Sequence, residues 1–128
     1  MTGTRVLVAG GGTAGHLVPG LALAAALVER GTPASAIHFV GSDRGVERRM
    51  VPAAGFTLDE LPGRGLPRRP GPAMVSAAVG LLRGVARGVG IVRRRRPDVV
   101  VSLGGHAAFA GAFGAVLARR PLVLVEQN

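Results

Sequence analysis

Cysteine, lysine, tryptophan and tyrosine are all missing from this sequence, and phenylalanine is its only aromatic residue. The lack of cysteine excludes disulfide bonds and thiolate-bound metals. We expect no metal site and no resident cofactor. The first twelve residues lack the basic-then-apolar order of a secretory signal peptide, which predicts a cytoplasmic protein.

Charge of one sign dominates the sequence. Sixteen arginines face seven acidic residues, for a net charge of +9. Such an excess favours anionic partners, namely phosphorylated substrates, acidic lipid headgroups or nucleic acid. Exclusive use of arginine is equally typical of a high-GC genome, so the charge does not choose between these partners. A length of 128 residues predicts one domain with a real core, short for a complete enzyme.

Glycine is abundant and concentrated after apolar runs. In RVLVAGGGTAGHLVP, at Arg5–Pro19, a strand-like run stops at three glycines and continues as a helical pattern. Gly10, Gly12 and Gly15 fit G-x-G-x-x-G, a spacing that brings backbone N–H groups against a phosphate at a helix start. A second glycine pair, Gly104–Gly105, also follows an apolar run and precedes a helical pattern.

Alternating apolar runs and helical patterns predict an α/β fold with five parallel strands. The strands are predicted at Arg5–Ala9, Ile37–Val40, Phe56–Leu61, Val99–Leu103 and Leu122–Val125, and the helices at Leu17–Arg30, Val46–Val51, Ala73–Arg95 and Ala107–Ala118. We expect a doubly wound, Rossmann-like sheet in the order 3-2-1-4-5, which makes the first and fourth strands neighbours. Both glycine loops then face one cleft.

Two stretches were considered as membrane spans. Val99–Ala118 is twenty residues without a charge, but its glycines, its alanines and His106 favour a strand, a glycine turn and a buried helix. In the longest predicted helix, Arg83 and Arg87 interrupt a repeated glycine pattern and argue against a span. Pro62–Pro72, PGRGLPRRPGP, is predicted to be a loop, either functional or a solvated connector.

Polar residues beside the glycine loops are the candidates for chemistry. His16 lies at a helix start, where a positive charge is disfavoured, so its ring is expected to stay neutral and able to accept a proton. Capping or packing is an equal alternative for His16. Thr13 can bind an anion or stabilise the turn, and His106 leaves the same two alternatives. Pro19 is expected in the first helical turn, and His38 as a satisfied core or edge residue.

A nucleotide- or dinucleotide-binding module without catalysis is the alternative function. Dinucleotide binding calls for an acidic residue at the end of the second strand, which holds the ribose hydroxyls. Here that strand ends in Val40–Gly41–Ser42, and the nearest carboxylate, Asp43, comes late. The match is imperfect and lowers this interpretation.

Three segments taken in order resemble one family. GGTAGH at Gly11–His16 followed by LVPGLALA, SLGGHAAFAGAFGAVLA at Ser102–Ala118, and PLVLVEQN at Pro121–Asn128 closely resemble the N-terminal half of the MurG family, the lipid-I N-acetylglucosaminyltransferases of peptidoglycan synthesis. The resemblance implies a two-domain GT-B enzyme. Its N-terminal domain, here residues 1–128, binds the membrane-held acceptor, and a C-terminal domain outside this chain binds UDP-N-acetylglucosamine. The 4-hydroxyl of the muramoyl sugar attacks with inversion to make lipid II.

The resemblance also implies roles for individual residues. It assigns the acceptor diphosphate to Gly11, Gly12, Thr13, Ala14, Gly15, Gly104, Gly105 and His106. It makes His16 the candidate catalytic base and places Thr13 and Asn128 at the sugar. A membrane-contacting patch is implied at Val79, Leu82, Val85 and Val116, with Arg68 and Arg69 attracting acidic lipids.

The sequence departs from the family pattern at three positions. The family usually has glycine at Ala14, tyrosine at His106 and often histidine at Val125.

The implied partners are lipid I, UDP-N-acetylglucosamine through the missing domain, and the inner face of the cell membrane as a peripheral surface; nucleic acid is not expected. The chain is expected to be a fragment or one subunit, inactive alone.

Overall fold

The computed structural model describes residues 4–10, 13–43, 45–61, 70–104 and 106–125, without the side chains of residues 106, 107, 109 and 110. Its strands are β1 Val6–Gly10, β2 Ile37–Ser42, β3 Thr57–Leu61, β4 Val99–Gly104 and β5 Leu122–Leu124. Its helices are α1 Ala14–Glu29, α2 Glu47–Ala53, α3 Pro72–Arg95 and α4 His106–Leu117, with a 3-10 turn at Ala34–Ala36. All strand pairs are parallel and the order is β3-β2-β1-β4-β5, so the predicted class and strand order are confirmed.

Apolar cores cover both faces of the sheet. Leu7 and Ala9 of β1 pack with residues of α3 and α4, whereas Val6 and Val8 pack with residues of α1 and α2. Successive strand residues point to opposite faces, so β1 must be apolar at every position to serve both cores. This double burial explains why the strands have continuous apolar runs in the sequence.

Glycines let α4 approach its neighbours closely. A Cβ built on Gly114 would lie 2.7 Å from Cγ2 of Val92 and 3.1 Å from the carbonyl oxygen of Gly88, both in α3. A Cβ on Gly111 would overlap the side chain of Ala9 in β1. The predicted succession of strand and helix at 99–118 is therefore confirmed, and α4 packs against both α3 and the sheet. The helix is buried on one side only, because Phe113, Val116 and Leu117 are exposed.

Two prolines lie inside helices, which corrects the predicted boundaries. The carbonyl of Thr13 accepts the N–H of Leu17 at 3.1 Å, so α1 starts at Ala14 and Pro19 is interior instead of first-turn. The cost is one missing backbone hydrogen bond and a local bend. Pro52 likewise lies within α2, because its own carbonyl still accepts the N–H of Gly55 at 3.0 Å.

The long helix α3 is buried only near its C-terminal end. Its 24 residues extend about 36 Å. Ile91 and Val92 are buried, but Val75 and Leu82 are 68% and 69% exposed. The apolar side chains of α3 therefore do not pack on the sheet along the whole length of the helix. Among the described helices, α3 is long and apolar enough to cross a membrane, by length and composition only. Of its apolar 18-residue stretch, 17% is buried.

Alanine substitutions at two helical glycines should change stability in opposite directions. Gly114→Ala is expected to lower the free energy of unfolding by about 1–3 kcal/mol, because the added methyl overlaps Val92. Gly80→Ala is the matched control; nothing lies within 4 Å of its Cβ position, so better helix propensity should raise stability by about 0.5–1 kcal/mol. Urea unfolding of both variants measures this. Equal effects would contradict the close contact of α3 and α4.

Candidate functional site

Two glycine turns lie side by side at the carboxyl ends of β1 and β4. Gly10 and Gly104 are partners in the sheet register, after a shift between Ala9 and Gly10. Both have positive φ, +144° and +100°, which side-chain-bearing residues rarely adopt. A Cβ on Gly10 would lie 2.7 Å from the carbonyl oxygen of Gly104. The two turns therefore meet backbone to backbone on one rim of the sheet.

His16 joins the two turns. It lies in the first turn of α1 and is half-buried. A methyl group built on Gly104 would lie 3.2 Å from its Cδ2 atom and 3.4 Å from its Nε2 atom. The imidazole at the start of α1 thus lies against Gly104 at the end of β4. The predicted cleft between the two loops stays a prediction, because Gly11, Gly12 and Gly105 lie outside the described residues.

The Thr13 side chain orients this ring. Its Oγ1 lies 3.1 Å from Nδ1 of His16, and Thr13 makes no side-chain cap bond to α1 although it occupies the N-cap position. If the hydroxyl donates to Nδ1, then Nε2 carries the ring proton and can donate to an anion. If it accepts from Nδ1–H, then Nε2 has a lone pair that can take a proton. The pair can serve anion binding or proton transfer, depending on the tautomer.

The start of α1 is suited to an anion. The first backbone N–H groups of a helix lack intrahelical partners and carry partial positive charge. No acidic residue occupies the first turn, and Ala14 and Gly15 are exposed. A Cβ on Gly15 would meet only Oγ1 of Thr13, at 3.8 Å, so packing among the described residues does not require glycine there. Among the described residues, nothing but the Thr13 side chain packs against this helix start.

The loop after β2 uses its acid internally. Glu47 is fully buried and its Oε1 accepts the backbone N–H of Ser42 at 2.6 Å. Side chains built on Gly41 or Gly45 would overlap this carboxylate. The inward Glu47 carboxylate cannot hold the ribose hydroxyls of a dinucleotide. Sequence reasoning missed Glu47; its signal was an acid closely following two glycines.

His38 takes no part in this site. Its Nδ1 is buried with no hydrogen-bond partner among the described residues, so the expectation of a satisfied histidine is wrong at that atom. Burial lowers its pKa, and the nearby Arg95 charge lowers it further. Arg95 itself donates two 3.0 Å hydrogen bonds to Asp59, which raise the pKa of the guanidinium. This ion pair fastens the end of α3 to β3.

Other predicted site residues have mixed outcomes. Gly11, Gly12, Gly105, Asn128, Arg68 and Arg69 lie outside the described residues. His106 begins α4, but its side chain also lies outside the described part of the chain. Of the predicted membrane patch, Val79, Leu82 and Val116 are 42%, 69% and 64% exposed. Val85 is half-buried, because α3 turns that side towards its neighbours.

Comparison with known families decides where this arrangement belongs. Residues 6–128 match the model of the glycosyltransferase family 28 N-terminal domain. The chain belongs to this family. The match covers both glycine turns, and the fold is the Rossmann-like N-terminal domain of a GT-B glycosyltransferase.

Two curated relatives of this family 28 domain have the same name. A protein of Acidovorax sp. (strain JS42), named UDP-N-acetylglucosamine--N-acetylmuramyl-(pentapeptide) pyrophosphoryl-undecaprenol N-acetylglucosamine transferase, is 42% identical over 122 residues, or 95% of this chain and 30% of that protein. A protein of the same name from Alkalilimnicola ehrlichii is 43% identical over 96% of this chain and 34% of its own length. This chain therefore spans about a third of these relatives.

Solved structures agree with the family 28 assignment. Acinetobacter baumannii MurG superposes with a TM-score of 0.83 at 25% identity, covering 98% of this chain and 36% of that one. The calicheamicin glycosyltransferase CalG4 superposes with a TM-score of 0.65 at 22% identity, over 97% of this chain and 32% of its own, and shares the fold. The resemblance to the MurG family stated from the sequence is confirmed.

Alanine at Gly104 should disturb the site more than alanine at another positive-φ glycine. Gly104→Ala is expected to cost about 1–3 kcal/mol in backbone strain and to displace the His16 ring, which lies within contact distance of the added methyl. Gly31→Ala is the control, since φ there is +104° and nothing lies within 4 Å. Urea unfolding gives the stability change, and NMR shifts of the His16 imidazole report its movement. An unmoved His16 signal in Gly104→Ala would contradict the contact.

Proposed function

We propose that this chain is the acceptor-binding part of an inverting glycosyltransferase that moves N-acetylglucosamine from UDP-N-acetylglucosamine to the 4-hydroxyl of lipid I, forming lipid II. The observation that carries the proposal is that Gly10 and Gly104 meet at the strand ends and that the His16 ring, paired with Thr13, lies against Gly104. The names of the relatives support the substrate class, an undecaprenyl-pyrophosphoryl muramyl pentapeptide.

The acceptor diphosphate is assigned to the two turns. The unpartnered N–H groups of α1 and the absence of an acid in its first turn favour a dianionic group there. Exposed Ala14 and Gly15 leave room for phosphate oxygens to approach the backbone. Gly11, Gly12 and Gly105 complete this proposed cradle with His106, as the family resemblance implies.

His16 is assigned the role of base for the attacking hydroxyl. As the new C–O bond forms at the anomeric carbon, the bond from that carbon to UDP breaks and UDP leaves with the bonding electron pair. The proton of the attacking hydroxyl passes to Nε2 of His16, in the tautomer whose Nδ1–H donates to Oγ1 of Thr13. General base catalysis of this kind contributes typically about 10²–10⁴-fold to a rate. Thr13 and Asn128 are assigned to the acceptor sugar.

The donor site is assigned to sequence outside this chain. The chain spans about a third of its curated relatives, and GT-B enzymes carry their donor site in a second domain. The proposal therefore gives this chain acceptor binding without transfer.

Ligand titration tests the proposed function. By calorimetry the chain should bind a water-soluble, short-chain lipid I analogue but neither UDP-N-acetylglucosamine nor NAD. Thr13→Val should weaken analogue binding about fivefold, because the ring of His16 loses its hydroxyl partner. Thr13→Ser retains the hydroxyl and is the control. Tight NAD binding with no analogue binding would overturn the proposal in favour of a dinucleotide-binding module.

We also propose that the exposed apolar side chains of α3 and α4 rest on the inner face of the cell membrane. Val79, Leu82 and Val116 are solvent-exposed, whereas Val85 contributes less because it is half-buried. Arg83 lies on the exposed surface of α3 and adds attraction to acidic headgroups, as proposed for Arg68 and Arg69. The chain is then a peripheral, cytoplasmic-side protein.

Liposome flotation tests membrane contact. Leu82→Ser should reduce retention on vesicles containing acidic lipid about tenfold, because a largely exposed leucine no longer enters the interface. Val28→Ser is the control, since Val28 is 41% exposed on α1 across the sheet. Raising the salt should release the wild-type chain in part. Retention that ignores both salt and Leu82→Ser would contradict surface contact and indicate a span.

A further inference from the structure

A pocket of about 580 Å³ opens beside the candidate site. It is lined by Gly45, Val46, Arg48 and Arg49 at the start of α2. The chain enters α2 directly from the carboxyl end of β2, and β2 is the immediate neighbour of β1. The pocket therefore lies on the same rim of the sheet as the two glycine turns. Adjacent strands are about 4.8 Å apart, and the pocket follows the strand next to β1, so it is near the Gly10 turn.

The two arginines of the pocket retain unused donors. The Arg48 side chain is 68% exposed, and its contacts with Oε1 of Glu60 and the carbonyl oxygen of Asp43 are both 3.5 Å long. Contacts of this length on an exposed side chain contribute little to stability. Arg49 is exposed, and its guanidinium has no hydrogen bond or ion pair with the residues that the structure describes. Neither guanidinium is needed to hold the fold.

The nearest buried acid does not neutralise the pocket. Glu47 lies behind Gly45, where a side chain on that glycine would overlap its carboxylate, and it accepts the N–H of Ser42. Its carboxylate is fully buried, so it faces the loop backbone and not the opening. Two outward guanidinium groups beside an inward carboxylate leave a cavity that favours an anion.

We propose that this pocket binds a carboxylate of the peptide carried by the acceptor. The inference rests on the proposed function and extends it to the peptide. A guanidinium pairs a carboxylate with two parallel hydrogen bonds, which gives Arg48 and Arg49 the right chemistry. An extended pentapeptide reaches about 17 Å, long enough to cross from the glycine turns to the pocket. The pocket then distinguishes acceptors by their peptide.

Calorimetry with three soluble short-chain lipid I analogues tests the pocket. One analogue carries the free pentapeptide, one carries the peptide with its carboxyl groups amidated, and one lacks the peptide. The wild-type chain should bind the first most tightly. Arg49→Gln should weaken only that analogue, about fivefold, and Arg48→Gln together with Arg49→Gln about 20-fold. Arg30→Gln, the same charge change at the opposite rim, should alter none of the three.

The outcomes separate this inference from the proposed function. Binding of all three analogues with equal affinity overturns the peptide site alone. Equal weakening of all three by Arg49→Gln assigns the arginine to the diphosphate and also overturns it. Failure of every analogue to bind overturns the proposed function and this inference together. Unchanged urea unfolding of the variants shows that any loss of affinity is local.

Discussion

The approach of β1 to β4 at their carboxyl ends is the constraint on which the rest of the site depends. Gly10 lies so close to Gly104 that no side chain fits between them. Because the strands meet there, α1 can start at Ala14 on one side and His16 can reach across to the other turn. Two segments that are more than ninety residues apart in sequence thereby contribute to one surface.

Part of the positive charge of the chain lies away from the candidate site. Arg30 follows α1 as its C-cap residue, and three arginines occupy the last turn of α3. The C-terminal ends of helix dipoles favour cations. Helices in this topology finish at the amino rim of the sheet, opposite the glycine turns. Four of the sixteen arginines therefore lie at helix ends away from the glycine turns, so composition indicated an anionic ligand without locating its site.

The fold was largely predictable because its strands must be apolar on both faces. Leu7 and Val8 serve opposite cores, and that requirement leaves an uninterrupted run that sequence reasoning recognises. Helix limits were less predictable. Pro19 suggested a later start for α1, but one missing hydrogen bond is a small loss when the helix begins directly at a tight turn.

The candidate site was predictable only where glycine spacing encodes it. Thr13 and His16 are three residues apart, so their hydrogen bond follows from one helical turn. The burial of Glu47 depends on which chain segments cover it. The same holds for His38, whose Nδ1 is buried without a hydrogen-bond partner among the described residues. The exposure of Leu82 depends on how far α3 extends beyond its neighbours, which periodicity cannot reveal.

The glycine pair at the strand ends also bears on inhibition and resistance. Residues 10 and 104 form their surface from peptide groups. A side chain at residue 10 would enter space that Gly104 and Leu103 already occupy, and one at residue 104 would crowd the His16 ring. The peptide groups of these two glycines offer a compound a surface that the exchange of a side chain cannot remove. Resistance would have to arise at the periphery of the compound, where side chains vary freely.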